Sequence, residues 1–265
     1  MFAGFTVFGH LISSYSLCIL AGIFAAFPMA VRRFSKRGGD GSLLMLTLVF
    51  AAIGAFLGMH LLFGLTNISH WDILTRAKGF RDFLRRFAAV FGGGVFYGGL
   101  FGGIASGGIA LKVMKLPAGL ACDCLAPSIA LFHAFGRVGC FLGGCCYGVE
   151  SEHGIVFTDS LVESANGVPR VPVQLYEAAF ELAVFLALSL LLAKGVCRGK
   201  LLTLYLLVYS FGRFILEYWR GDEYRGFILG LSTSQFISIF VFAAAALHFI
   251  FAPKAAEKSA QDNLP

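Results

Sequence analysis

The sequence predicts an all-α polytopic membrane protein: seven transmembrane helices carrying a small outward-facing head. Three observations predict it. First, hydrophobic residues make up 58% of the 265 positions and charged residues only 14%, against roughly 25% charged in an ordinary soluble domain. Second, the apolar runs are continuous and about 20 residues long, the length that crosses a bilayer core. A membrane β-barrel would instead show alternating segments of about 10 residues. Third, Lys and Arg gather in short segments between the runs, as orientation signals do. This composition excludes a soluble enzyme, a disordered chain and a secreted disulfide scaffold. The net charge of +6 sits in those loops with no basic stripe among aromatics, so no nucleic acid partner is expected.

The spans are taken in order, within a single integral membrane domain over 1–265. They run from Gly9 to Val31, Ser42 to Thr66, Phe87 to Val113, Ala118 to Phe141, Leu175 to Ala193, Leu201 to Trp219, and Gly230 to Ala252. Arg32, Arg33, Lys36, Arg37, Lys112, Lys115, Lys194, Arg198, Lys200, Lys254 and Lys258 fall on one side. The smaller set Arg76, Lys78, Arg81, Arg85, Arg86, Arg170, Arg220 and Arg225 falls on the other. The positive-inside bias therefore puts the N-terminus outside and the C-terminus in the cytoplasm. Between the second and third spans, an interfacial arm over 67–86 sets basic residues among apolar ones at helical spacing. That pattern suits a helix lying on the bilayer surface, against anionic lipid heads or against a lipid substrate. The outer loop 142–173 is the one candidate head, with GIVFTDS as a possible short strand. The polar segment 253–265 reads as a disordered cytoplasmic tail.

Charges inside spans are expensive and usually face a bundle interior or a wet cavity. Arg137 stands near the outer end of the fourth span in HAFGRVGCFLGGCCYG, among glycines that permit irregular backbone. An arginine at headgroup depth suits a phosphate, whose oxygens its guanidinium binds bidentately; snorkelling to the interface is the plainer reading. Tyr209, Arg213 and Glu217 follow at i, i+4 and i+8 in YSFGRFILEYWRGD and share one helix face. Arg213 with Glu217 suits either a structural ion pair or a site in which the glutamate holds the arginine. Tyr15, Tyr97, Gln174, Tyr176 and Glu177 reach similar depth on other spans. Their convergence points to a site opening toward the outer leaflet.

Together these motifs resemble the bacterial prolipoprotein diacylglyceryl transferase family. GRVGCFLGGCCYG aligns without gaps with the family's Arg–Gly–Asn–Phe–Asn–Gly–Glu run, giving Arg137 and the closing Gly148. VPVQLYEA resembles the His-Pro-Ser-Gln-Leu-Tyr-Glu segment through Gln174, Leu175, Tyr176 and Glu177. YSFGRFILEYWRGD matches at Tyr209, Arg213, Glu217 and Arg220, SYSLCILAGI supplies Tyr15, and TSQFISI resembles the last-span segment. The family's His-Gly-Gly is Tyr97-Gly98-Gly99 here. Its two asparagines and glutamate are Cys140, Gly143 and Cys145, and the histidine of the fifth-span motif is Val171. The chain resembles a divergent branch that keeps the arginines and lacks some acid–base and amide groups.

The resemblance implies a fold of seven spans in the inner membrane and no cofactor. It implies transfer of a diacylglyceryl group from phosphatidylglycerol to the lipobox cysteine at the signal peptide of a preprolipoprotein, with glycerol phosphate leaving. It assigns catalysis to Arg137, Arg213, Tyr97 and Glu217. Substrate contacts fall to Tyr15, Cys140, Gly148, Gln174, Tyr176, Glu177, Tyr209, Arg220, Gly98 and Gly99, among surrounding membrane lipids. The general base stays open, because an unperturbed Tyr97 is a poor base at neutral pH. Glu177, Glu217, His133 and His60 are the other titratable groups in reach. No metal is expected, since the C-x4-C-C spacing of Cys140, Cys145 and Cys146 is not a usual zinc pattern. Packing fits these thiols first, a redox or disulfide role comes next, and a metal or covalent catalysis comes last. A different acceptor, a lipid transporter and a membrane redox protein are the alternatives.

Overall fold

The structure is a computed structural model and describes residues 4–7, 9–160, 162–221 and 226–251. Among them, seven helices are long and apolar enough to cross a membrane. They are α1 (Ser14–Ser35), α2 (Gly41–Thr66), α5 (Phe96–Val113), α6 (Ala118–Gly143), α7 (Val173–Ala193), α8 (Leu201–Leu216) and α9 (Thr233–Phe251). A two-stranded hairpin, β1 (Gly4–Val7) and β2 (His10–Ser13), precedes α1, so the first helix starts later than the apolar run suggests. The tail 253–265 lies outside the described residues. The chain divides into two compact units, 34–118 and 1–33 with 119–265.

In the unit 34–118 the third span is shorter than the apolar pattern implies. Instead of one run from Phe87, α4 (Phe80–Phe91) ends and α5 begins at Phe96. Gly92, Gly93 and Gly94 give the chain little reason to stay helical. The break is held from α2. The Val95 N–H donates to the Met59 carbonyl at 3.1 Å, and His60 Nδ1 lies 2.8 Å from the carbonyls of both Phe91 and Gly93. Carbonyls only accept, so Nδ1 carries the proton. His60 thus secures the break, and that nitrogen is not the free base considered above. The arm is broken too: a 3-10 turn (Ile68–His70), the one-turn α3 (Asp72–Thr75) and α4 replace one surface helix. Asp82 in α4 is held below the usual carboxylate range by the Lys78 N–H and by Arg86.

α2 and α5 pack through glycines. A Cβ on Gly98 would meet the Gly58 carbonyl, and one on Gly102 would meet that of Gly54. Small residues four apart let helix backbones approach closely where lipid offers no hydrophobic drive. The Gly98→Val variant is expected to separate this pair. A fall in unfolding midpoint in detergent, larger than for Gly108→Val in open space, checks it.

In the other unit, α8 packs on α7 and α9. The start of α8 is capped from a distant part of the sequence: the Asp123 carboxylate of α6 accepts the N–H of Gly199 at 2.5 Å and of Leu201 at 2.9 Å. Asp123 is buried. Hydrogen bonds to a charged group are worth about 1.5–3 kcal/mol each, so Asp123→Ala is expected to lower stability by about 3 kcal/mol, with Asp123→Asn losing less. Chemical unfolding of the two variants in one detergent measures the difference.

Between α6 and α7 lies the head. β3 (Glu150–Val156) pairs antiparallel with β4 (Pro169–Arg170), so the strand starts four residues before the GIVFTDS motif does. Tyr147, Phe157 and Ala165 form its core against Phe141 and Val162. Arg170 lies over the Tyr147 ring at 4.4 Å, and the Tyr147 hydroxyl is 2.9 Å from Ser164 Oγ. A second pair, β5 (Phe227–Ile228) and β6 (Leu231–Ser232), leads into α9.

Candidate active site

Glu177, one turn into α7, is the hub of the site. It is 4% exposed. Its Oε2 lies 2.5 Å from Arg137 Nε of α6, and its Oε1 lies 2.8 Å from Arg213 Nη1 of α8. Arg220 Nη1 stands 3.9 Å from the same Oε1. Arg213 Nη2 also pairs with Glu217 Oε2 at 2.5 Å and donates to Ser234 Oγ at 3.3 Å. Glu217 in turn accepts from the Ser232 hydroxyl at 2.9 Å. The two readings of Arg213 and Glu217 therefore hold together: they form an ion pair, and that pair is one link in a larger network. Buried charges persist only when paired in this way.

Arg137, Glu177, Phe180, Glu181, Tyr209, Arg213 and Leu216 line a small cavity. Among the described residues Arg137 engages protein only through Nε, which leaves its two terminal nitrogens to a ligand. Its side chain is 22% exposed against 9% for Arg213, so Arg137 is the accessible arginine and Arg213 the anchored one. Sequence reasoning missed Glu181, one turn beyond Glu177. It is buried, and its Oε2 has no hydrogen-bond partner. Its Oε1 lies 3.4 Å from His133 Nδ1, which is 2.7 Å from the Tyr205 hydroxyl. The His133 ring centroid is 5.2 Å from that of Tyr209, which stacks on Tyr205. The signal was in the sequence: a second acid at i+4 on an apolar span shares the face of the first.

The other expected residues fall as follows. Gln174 is fully buried and donates to the Cys145 carbonyl at 2.8 Å. Tyr15 packs against Gly139, where an added Cβ would approach its ring to 3.2 Å. Tyr176 is half exposed. Gly148 sits where three backbones meet: its N–H donates to the Val171 carbonyl at 3.1 Å, and a Cβ would lie 2.8 Å from the Trp219 carbonyl. Tyr97, Gly98 and Gly99 belong to the unit 34–118. Tyr97 is partly exposed there and meets Phe96 edge to face, and Gly98 is taken up by packing on α2.

Beyond the last turn of α6 the chain reverses, with Gly144 at φ 72° and Cys146 at φ 57°. The Cys145 N–H donates to the Cys140 carbonyl at 3.1 Å. The reversal gathers Cys140, Cys145 and Cys146 so that their sulfurs lie within 4.8 Å of one another, and none is in a disulfide. Hydrogen bonds from Cys140 and Cys145, then the Arg220 guanidinium, hold the Cys146 thiol well below its usual range.

Fold and site together define a polytopic helical membrane protein with buried, carboxylate-held arginines suited to an anionic headgroup. A family model described as prolipoprotein diacylglyceryl transferase matches residues 4–251. The chain is 37% identical over 246 residues to phosphatidylglycerol–prolipoprotein diacylglyceryl transferase 2 of Clostridium perfringens, covering 91% of each chain. It is 34% identical to the corresponding transferase of Clostridium tetani, over 89% of this chain and 91% of that one. For the Nocardia farcinica transferase the identity is 30%, over 92% of this chain and 52% of that one. The chain belongs to the prolipoprotein diacylglyceryl transferase family.

Proposed function

We propose that this protein moves the diacylglyceryl group of phosphatidylglycerol onto the lipobox cysteine of a preprolipoprotein, releasing glycerol phosphate. One observation carries the reading. Arg137 is fixed by its Nε on a buried glutamate, which leaves its terminal N–H groups to a ligand on the wall of a polar cavity. When the acceptor sulfur, its proton given up to water as the thiolate forms, attacks the glyceryl carbon, the S–C bond forms, the C–O bond breaks and the phosphate leaves with the electron pair. A diester carrying one negative charge then becomes a monoester that is more basic. Guanidinium groups in a low-dielectric site favour that developing charge. Arg137 binds the phosphate, Arg213 adds field from its place between Glu177 and Glu217, and Arg220 completes the cationic set. Glu181, backed by His133, is the carboxylate placed to exchange a proton with the departing phosphate. Tyr15, Gln174, Tyr176 and Tyr209 shape the surroundings of the lipid and of the signal peptide. The loop charges support a place in the bacterial inner membrane with the head 142–173 in the periplasm.

The test is transfer of labelled diacylglyceryl from phosphatidylglycerol vesicles to a lipobox peptide by the purified full chain. A thioether product that fails to form with a Cys→Ser peptide supports the reading. Folded protein that gives none overturns it.

A further inference from the structure

From the convergence of three thiols at the turn after α6, we propose that Cys140, Cys145 and Cys146 bind a single zinc-class divalent ion, with the fourth coordination place open to a thiol. In sequence the C-x4-C-C spacing looks wrong for zinc, because it offers two adjacent ligands. The reversal at Gly144 and Cys146 changes that. It folds the adjacent pair back over the last turn of α6, and the three sulfurs come within 4.8 Å of one another. Tetrahedral zinc with Zn–S bonds of about 2.3 Å sets sulfurs roughly 3.8 Å apart. Side-chain rotation covers the difference of about 1 Å. Cys146 reaches the cluster from a left-handed backbone, uncommon for a residue with a side chain. Strain of this kind persists where the surrounding structure enforces it.

The charges around the cluster fit an occupied trithiolate. Three thiolates and a divalent ion leave one negative charge. The Arg220 guanidinium lies close beside Cys146, and Arg137 lies within electrostatic reach of Cys140 and Cys146. Tyr15 lies within electrostatic reach of the same three residues. No acidic side chain makes a fourth ligand in the candidate cluster among the described residues. Closed four-ligand zinc sites are structural, whereas three protein ligands with an open place mark reactive ones.

The ligand class for that place is a soft thiolate. This second part rests on the transferase reading; the binding of the ion does not. The acceptor cysteine would lose its proton to water on coordination, because a metal-held thiol is deprotonated outright. Its sulfur then attacks the glyceryl carbon as the C–O bond to phosphate breaks. The thioether product, a weak ligand, leaves the ion.

The experiment uses the full chain purified in detergent with reductant, loaded with zinc or cobalt and freed of excess metal. Wild type and Cys122→Ser, a thiol of α6 outside the cluster, are expected to retain about one zinc per chain by elemental analysis and to show the cobalt–thiolate charge-transfer band. Cys140→Ser and the double variant Cys145→Ser/Cys146→Ser are expected to bind more than about tenfold more weakly, since losing even a supporting group costs 10–100-fold. Zinc content equal in wild type and the triple serine variant overturns the site. So does an intact mass lighter by two hydrogens under these conditions, which would mean a disulfide. A change in the cobalt spectrum on adding a lipobox peptide, absent with its serine analogue, supports the open place for a thiol; no change overturns that part. Absence of transfer by protein whose cobalt signature is intact would overturn the transferase reading and leave the metal site standing.

Discussion

Arg137→Ala is expected to lower kcat/KM for diacylglyceryl transfer by about 100- to 1,000-fold, the loss typical when one preorganised donor to a developing anion is removed. The protein should stay folded. Glu177 still has Arg213 at 2.8 Å and Arg220 at 3.9 Å, so its buried carboxylate is not stranded. Arg137→Lys keeps a charge and gives up both the Nε contact to Glu177 and the planar fork; an intermediate loss is expected. Transfer assays of wild type, lysine and alanine variants, each at matched unfolding midpoint, check the order. Alanine activity within a few-fold of wild type would sink the assignment of Arg137 to the phosphate. Arg213→Ala is a poorer probe, because Arg213 also ties Glu217 and Ser234 together, and loss of fold would mask loss of chemistry.

The spans were legible because length and apolar continuity are local properties. Arg213 with Glu217 was legible for the same reason, since i+4 places them on one face. The hub was not. Glu177 stands 40 residues from Arg137 and 36 from Arg213, and only the packing of three helices makes it their common partner. The resemblance put Glu177 among the substrate contacts, not as the counter-charge that Arg137 and Arg213 share. Asp123 escaped notice although an acid inside a span is itself a signal; its partners, Gly199 and Leu201, are backbone amides of a distant loop and helix start. The break before Phe96 was hidden because glycines read as apolar in a hydropathy scan while giving weak helices. His60 was weighed as a base because the carbonyls it satisfies exist only once that break has formed. The thiol cluster shows the same limit: spacing along the chain did not show that Cys140, Cys145 and Cys146 would meet, and two left-handed residues bring them together in space.

Glu177→Ala is expected to be the most damaging substitution in the site, costing about 3–5 kcal/mol, the range measured when one partner of a buried ion pair is removed. The mechanism is desolvation. Arg137 and Arg213 lose their shared counter-charge while their guanidinium groups stay out of water, and among the described residues Arg213 is left with Glu217 and Ser234. Glu177→Gln should cost less, because the amide oxygen still accepts one guanidinium hydrogen bond with the shape unchanged. The double variant Glu177→Ala/Arg137→Ala supplies the sharper test. If the cost of the single glutamate change comes from a stranded arginine, removing Arg137 as well should restore part of the stability, a coupling of about 0.5–3 kcal/mol between contacting groups. Unfolding midpoints of the four proteins in one detergent give the cycle. Strict additivity would mean that the 2.5 Å pair carries no coupling, and Glu177 would then be stabilising the helix packing by some route other than charge.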